Sequence, residues 1–300
     1  MKTANNPNYS GSINRPQPPA YNLKTQRGFS LIEVMISSLV GLVLLAGTMQ
    51  MFSNTQQSSL TNTAVTRMQE NGRAGLFFIE NAIRLSGYRT DSLKGFRDIF
   101  PDTSPFFDFN GQVIKGIDND TVNGNDILNG SDQISMRYAG NNDEFIYDCA
   151  GNTSPHLTHK RFEISFHVNN NGELICDPDL YIPNTTTSPD NQYNKQPLID
   201  GVEDMQIFYG IDTNSDFTAN YYVSADKIPN GSEVISVRVF LLLQSDPKIA
   251  TQAQAYRWFD EKNKPRQFDG DEKDKFTGKK DERRLRKVFS STIAVRNLIE

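Results

Sequence analysis

A single carboxylate, Glu33, stands in an otherwise uncharged apolar run from Phe29 to Phe52. Placing a charge at the centre of a membrane helix costs roughly 2.5–3.5 kcal/mol, and less near an end. A residue kept there against that cost is a functional candidate that needs a partner. Cys149 and Cys176 are too few for a disulfide scaffold or a Cys-only zinc site. In an oxidising compartment they suit one disulfide, which would close a loop of about 27 residues and stabilise the fold by roughly 3.5 kcal/mol. His156, His159 and His167 lack acidic companions at metal-ligand spacing, so no zinc site is expected. Asp212, Asn214 and Asp216 place oxygens at positions 1, 3 and 5 of a calcium loop. Phe217 stands where that loop needs Gly, and Val223 where it needs Glu, so an Asx-type turn is the simpler expectation. No nucleophile elbow, Walker A loop or dinucleotide-binding glycine pattern occurs. The expectation is therefore no enzyme, no catalytic residue, no cofactor and no resident metal.

The element that positions Glu33 is the apolar run itself. Sixteen of its 24 residues are apolar. As a helix it would reach roughly 36 Å, enough to cross a hydrocarbon core of about 30 Å. Residues 1–28 carry Lys2, Arg15, Lys24 and Arg27 and no acid. The positive-inside rule places that leader in the cytoplasm and the rest of the chain outside. A buried helix of a soluble domain and a secretory signal peptide are the rival readings. The run is long for a signal h-region, and Ala46-Gly47-Thr48 is a poor cleavage site. The whole chain, 300 residues with a net charge of −5 and a mean hydropathy of −0.55, excludes a multi-span membrane protein. It also shows no basic footprint, so no nucleic-acid partner is expected.

No proline occurs between Phe29 and Phe100, so the helix is expected to run on to about residue 86, with Gly87 as C-cap. Val65, Met68, Leu76, Ile79 and Ile83 form one apolar stripe, with Gly72 in its gap. Strand-like patterns follow. Ile134, Met136 and Tyr138 alternate with polar neighbours. Phe162 to Val168 reads as a half-buried strand, and 202–209, 234–243 and 288–296 are further strands. Residues 256–287 hold 12 basic and 8 acidic groups and read as a solvated insertion loop. The pattern is α+β: one long N-terminal helix, its first half transmembrane, packed on an antiparallel sheet. The expected organisation is a leader at 1–28, an assembly helix at 29–52, its amphipathic continuation at 53–88 and a β-rich head at 89–300.

Arg27-Gly28-Phe29-Ser30-Leu31-Ile32-Glu33-Val34-Met35 resembles the processing motif of type IV prepilins and pseudopilins. The resemblance implies that a prepilin peptidase cuts between Gly28 and Phe29 and then N-methylates Phe29. Gly28 leaves the scissile backbone unobstructed. Glu33 would pair in the filament core with the freed N-terminal amine of a neighbouring subunit. Further blocks resemble the PilW family of minor pilins: Arg67 to Arg73, Ile83-Arg84, Ser86 to Tyr88, Leu198 to Met205, Tyr209-Gly210, Val237 to Leu243 and Phe289 to Asn297. That resemblance implies a pilin-like fold and a single-pass inner-membrane protein with its head in the periplasm. It also implies a place in a tip or priming complex that supports twitching motility and cell adhesion. The implied partners are the peptidase, the other minor pilins, the major pilin, the inner-membrane assembly platform and a tip adhesin. The 28-residue leader is longer than in many type IVa pilins, and the apolar helix lacks the proline of major pilins. Gly41 and Gly47 offer flexibility in its place. The competing readings are a type II secretion pseudopilin and a membrane-anchored periplasmic enzyme or ligand-binding module.

Overall fold

The computed structural model describes residues 28–89, 95–100, 107–119, 127–140, 146–151, 160–181, 195–230, 232–245, 256–259, 265–268 and 284–297. Residues 1–27 of the leader, His156, His159 and the stretches 260–264 and 269–283 of the charged segment lie outside the described residues. The chain divides into two units, one ending at Asn54 and the other beginning at Thr55.

Helix α1 runs from Leu31 to Leu85, free of proline. Gly87 follows it with φ +76°, the left-handed conformation that closes a helix without a Cβ penalty. In the larger unit the helix buries Ala64, Met68, Gly72, Gly75, Ile79, Ala82 and Ile83. This stripe is smaller in volume than the sequence suggests. Ala64 and Gly75 take the places expected of Val65 and Leu76. A Cβ at Gly75 would stand 2.6 Å from Ile199 Cδ1, so only glycine lets the sheet approach this closely.

Two antiparallel sheets surround that stripe, where a single sheet is the sequence-based expectation. The first is a meander of β1 (Ile114–Ile117), β2 (Gln133–Gly140), β3 (Lys160–Val168), β4 (Leu174–Tyr181) and β5 (Gln196–Ile199), in that order. The second contains β6 (Val202–Ile211), β7 (Tyr221–Val223), β8 (Val234–Gln244) and β11 (Arg286–Ala294), in the order β11-β8-β6-β7. A hairpin of β9 (Tyr256–Phe259) and β10 (Pro265–Phe268) precedes β11. A short helix, α2 (Phe96–Ile99), and a 3₁₀ turn at Ala225–Lys227 lie in the connections. Both sheets contribute to one apolar core with Met68, Ile79, Ala82 and Ile83 of the helix.

Strand β3 corrects the half-buried expectation. Phe162, Ile164, Phe166 and Val168 are buried on one face, and Arg161, Glu163, Ser165 and His167 on the other. The polar face is covered because the chain near α2 folds over it: Arg161 donates to the Ile99 carbonyl at 3.3 Å and pairs with Glu163 at 2.9 Å. Strand β2 donates a second buried cation, Arg137, to the same region. Cys149, after β2, and Cys176, in β4, are joined in a disulfide with their Cα atoms 6.0 Å apart.

The two sheets meet at Ser131 and Asp132. The Asp132 amide donates to the Met205 carbonyl at 2.9 Å, and the Asp132 carboxyl accepts from the amides of Ile207 at 2.7 Å and Asn119 at 2.9 Å. Burial pushes this carboxyl up to about 8, despite the lowering effect of those amides; Asp118 and Asp204 nearby raise it further. The folded protein therefore holds a proton that the unfolded chain releases above its ordinary 3.8. Linkage then dictates that this contribution to stability is whole below pH 3.8 and is lost as pH rises to about 8. Urea midpoints should fall across that window, and Asp132→Asn should flatten the fall. An unchanged slope in the variant would show that another group sets it.

Tyr209 lies beside this seam, fully buried, and among the described residues its hydroxyl has no hydrogen-bond partner. It fits because residue 116 is glycine: a Cβ there would stand 2.0 Å from the hydroxyl. A buried, unpaired hydroxyl costs about 1–3 kcal/mol. Tyr209→Phe should therefore raise stability by about 1 kcal/mol in chemical unfolding, and a loss of that size would mean the hydroxyl has a partner after all.

Candidate assembly site

The smaller unit holds the residues singled out first. Helix α1 begins two residues after Phe29, and the Ser30 carbonyl accepts from the amides of Glu33 at 3.0 Å and Val34 at 3.2 Å. Glu33 thus lies in the first turn, where a carboxylate is favoured by the unpaired amides of a helix N-terminus. Within the run, Ser38 and Thr48 turn their hydroxyls onto the carbonyls of Met35 and Leu45, both at 2.9 Å. Those bonds hide the hydroxyls within the helix and leave its surface apolar. Every residue from Gly28 to Asn54 is exposed, among them Phe29, Leu31, Leu39, Leu44 and Phe52. The apolar side chains face all directions. A helix of this kind is a membrane span or the core of an assembly, because alone it would leave its whole surface in water. By length and composition it can cross a bilayer. Among the described residues Glu33 has no ion-pair partner.

The larger unit shows what the remaining sequence blocks do. Gly72 lies so near Phe289 that a Cβ would meet its ring at 2.5 Å. Asn71 donates to the Asp200 carbonyl at 3.1 Å and to the Asp200 carboxylate. Ser291 donates to Glu80. Asn297 donates its amide to the carbonyls of Arg84 at 2.9 Å and Ser86 at 3.2 Å. These residues, far apart in sequence, hold the second part of α1 to β11 and to the turn before β6. The blocks are thus the contacts that dock a helix on a sheet.

Two buried contacts were not legible beforehand. Arg286 pairs with Glu203 at 2.5 Å, and Trp258 donates its indole N–H to the Asp204 carboxylate at 2.6 Å. Trp258 is only 4% exposed, and Phe259 packs against Phe208 and Phe240 at centroid distances of 5.1 and 5.0 Å. The 256–287 segment is therefore not a wholly solvated loop. Its described parts form a hairpin and carry one buried cation. The chain's one Trp in an otherwise charged stretch was the available signal.

The calcium-like loop is occupied by its own backbone. The Asp212 carboxylate accepts from the amides of Asn214, Ser215 and Phe217 at 2.8–3.0 Å. Desolvation pushes its pKa up, but the backbone amides of Asn214, Phe217, Ser215 and Asp216 together outweigh it and hold the carboxyl below the ordinary carboxylate range. Asp216 accepts from Asn214 and from the Thr218 amide. This is an Asx-turn network. Among the described residues no group of three or more His, Cys, Asp or Glu side chains is placed to hold a metal.

A family model described as Type IV Pilus-assembly protein W matches residues 162–297, and one described as Prokaryotic N-terminal methylation motif matches residues 23–49. The first stretch is 136 of the chain's 300 residues and the second 27. Together they support a PilW-type minor pilin of the type IV pilus. A solved type IV-like pilin from Thermus thermophilus aligns with 78% of this chain and 100% of its own, at 12% identity and a TM-score of 0.40. No curated protein matches the chain. Family and architecture point to a structural protein, membrane-anchored by an N-terminal helix and assembled with other pilus components after processing.

Proposed function

We propose that this PilW-family chain is cut by a prepilin peptidase between Gly28 and Phe29, N-methylated at Phe29, and held in the inner membrane by residues 29–52 with its head in the periplasm. It then joins other minor pilins in a tip complex that primes the filament on the assembly platform, ahead of the major pilin and with a tip adhesin. That complex supports twitching and adhesion. The observation that carries this reading is the segment Leu31–Phe52, apolar on every side and bearing one carboxylate in its first turn. In a helical assembly, neighbouring helices replace the lipid around it, and the N-terminal amine of the next subunit neutralises Glu33.

Two substitutions separate the steps. Gly28→Val should leave a chain longer by the leader on a gel, because the side chain obstructs the scissile backbone. Glu33→Gln should be processed normally yet reach sheared pili at least tenfold less than wild type, at equal membrane abundance. Normal incorporation of the Gln variant would remove Glu33 from assembly. Deleting the whole chain from a piliated host should reduce surface pili; normal piliation and twitching would refute the priming role.

A further inference from the structure

Among the described residues strand β1 is an edge strand, hydrogen-bonded to β2 alone. The register fixes which of its groups are used. Arg137 donates its amide to the Val113 carbonyl at 3.0 Å, and Val113 stands opposite Arg137 by extension of the Ile114–Met136 and Lys115–Ser135 pairs. In an antiparallel ladder the bonded pairs alternate. Lys115 and Ile117 therefore turn their backbone groups to β2, while Ile114 and Gly116 turn theirs outward. Those outward N–H and C=O groups have no partner among the described residues. Backbone groups sheltered from water without a partner are costly, so a free edge of this kind needs water or a ligand.

The edge does not face open solvent. It forms one wall of a groove of about 950 Å³, near the upper end of ordinary ligand pockets. The other wall is formed by Ala225, Asp226, Ile228 to Asn230 and Ser232 to Val234, and Phe109 and Phe217 line the groove while 44% and 62% exposed. Phe217 has φ +60°, a conformation a bulky residue adopts only when held, and the Asp212 carboxylate holds its amide at 2.8 Å. Its charges are two cations, Lys115 and Arg97, and three acids, Asp108, Asp226 and Glu233, with Lys115 paired to Asp108 at 2.7 Å. A near-neutral, slightly acidic lining admits a neutral backbone and disfavours a polyanion.

We propose that this groove takes a single extended segment of another polypeptide, which adds to the first sheet beside β1 and places alternate apolar side chains against Phe109 and Phe217. Only an extended backbone supplies acceptors and donors at the two-residue repeat that Ile114 and Gly116 present. A second copy of this head cannot supply it through its own β1, since that strand is recessed behind an identical wall. Under the pilus reading above, the segment comes from another pilus subunit, but the groove's chemistry does not depend on that reading.

The test places a photo-crosslinking benzoylphenylalanine at Asn230, an exposed residue of the far wall, in the full chain in producing cells, with Asn170 as an exposed control. The proposal expects one adduct, at least tenfold above the control, mapping by mass spectrometry to a single short segment of a different protein. Amide exchange of Ile114 and Gly116 should then slow at least tenfold in the purified adduct relative to the lone chain, while Lys115 and Ile117 stay unchanged. An adduct with a second copy, no adduct above the control, or slow Ile114 and Gly116 exchange in the lone chain each overturn it. An adduct on a non-pilus protein with the same exchange pattern keeps the groove and refutes the pilus reading.

Discussion

Replacing Arg137 with methionine should cost about 3–5 kcal/mol of stability, because it leaves three main-chain carbonyls unpaired at about 1–3 kcal/mol each. The guanidinium is fully buried. It donates to the carbonyls of Phe100 at 3.1 Å, Phe109 at 3.3 Å and Gln112, and lies over the rings of Phe107 at 4.2 Å and Phe100 at 5.5 Å. Methionine matches its length but offers no donor. Its partners here are main-chain carbonyls, which no second substitution can replace with apolar groups, so they are left unpaired in the interior. Lysine should recover only part of the loss, because one ammonium cannot reproduce the fork that reaches three carbonyls. Urea unfolding of the detergent-solubilised chain measures the difference. If the Met variant falls within about 1 kcal/mol of wild type, those carbonyls find water instead and the guanidinium is not what anchors 107–113 to β2. The groove makes the result functionally pointed, since Phe109, Gln112 and Val113 line it.

Arg137 also marks the limit of the sequence reading. Periodicity exposed the elements whose burial is one-sided or continuous: the helix stripe through Met68, Ile79 and Ile83, and the apolar end of β8. It failed where tertiary neighbours cover a polar face. Glu163, Ser165 and His167 read as a solvent face because alternation reports side-chain polarity, not what folds over it. The short strands β1, β5, β7, β9 and β10, of three or four residues, carry too few alternations to register. The candidate assembly site stood out most in the sequence, because a lone carboxylate in an apolar helix is a local signal. The groove was the least, because it is assembled from residues 95 to 234 and depends on which side of β1 remains unpaired.

Gly72→Leu should cost about 2–3 kcal/mol, and Phe289→Ala in the same chain should return most of it. On an isolated helix the glycine is the worse residue, by about 1 kcal/mol relative to alanine. Propensity alone therefore predicts a gain from any larger side chain at position 72. Packing decides the sign. A Cβ at Gly72 would lie 2.5–2.6 Å from three carbons of the Phe289 ring, including the one nearest its backbone, so a small rotation cannot clear it. Phe289 is opposite Leu241 in the β11–β8 ladder, which fixes its Cα, so the ring must leave its rotamer or the helix must lift. Phe289→Ala alone loses the contact of a half-buried ring. In the double variant leucine fills the vacated space, and the coupling energy should exceed about 1 kcal/mol. Additive effects would mean the helix shifts freely over β11. Strong coupling would show that the blocks at 67–73 and 289–297 work as one packed pair. One supplies the gap and the other the ring that fills it, and neither is useful to the fold without its counterpart.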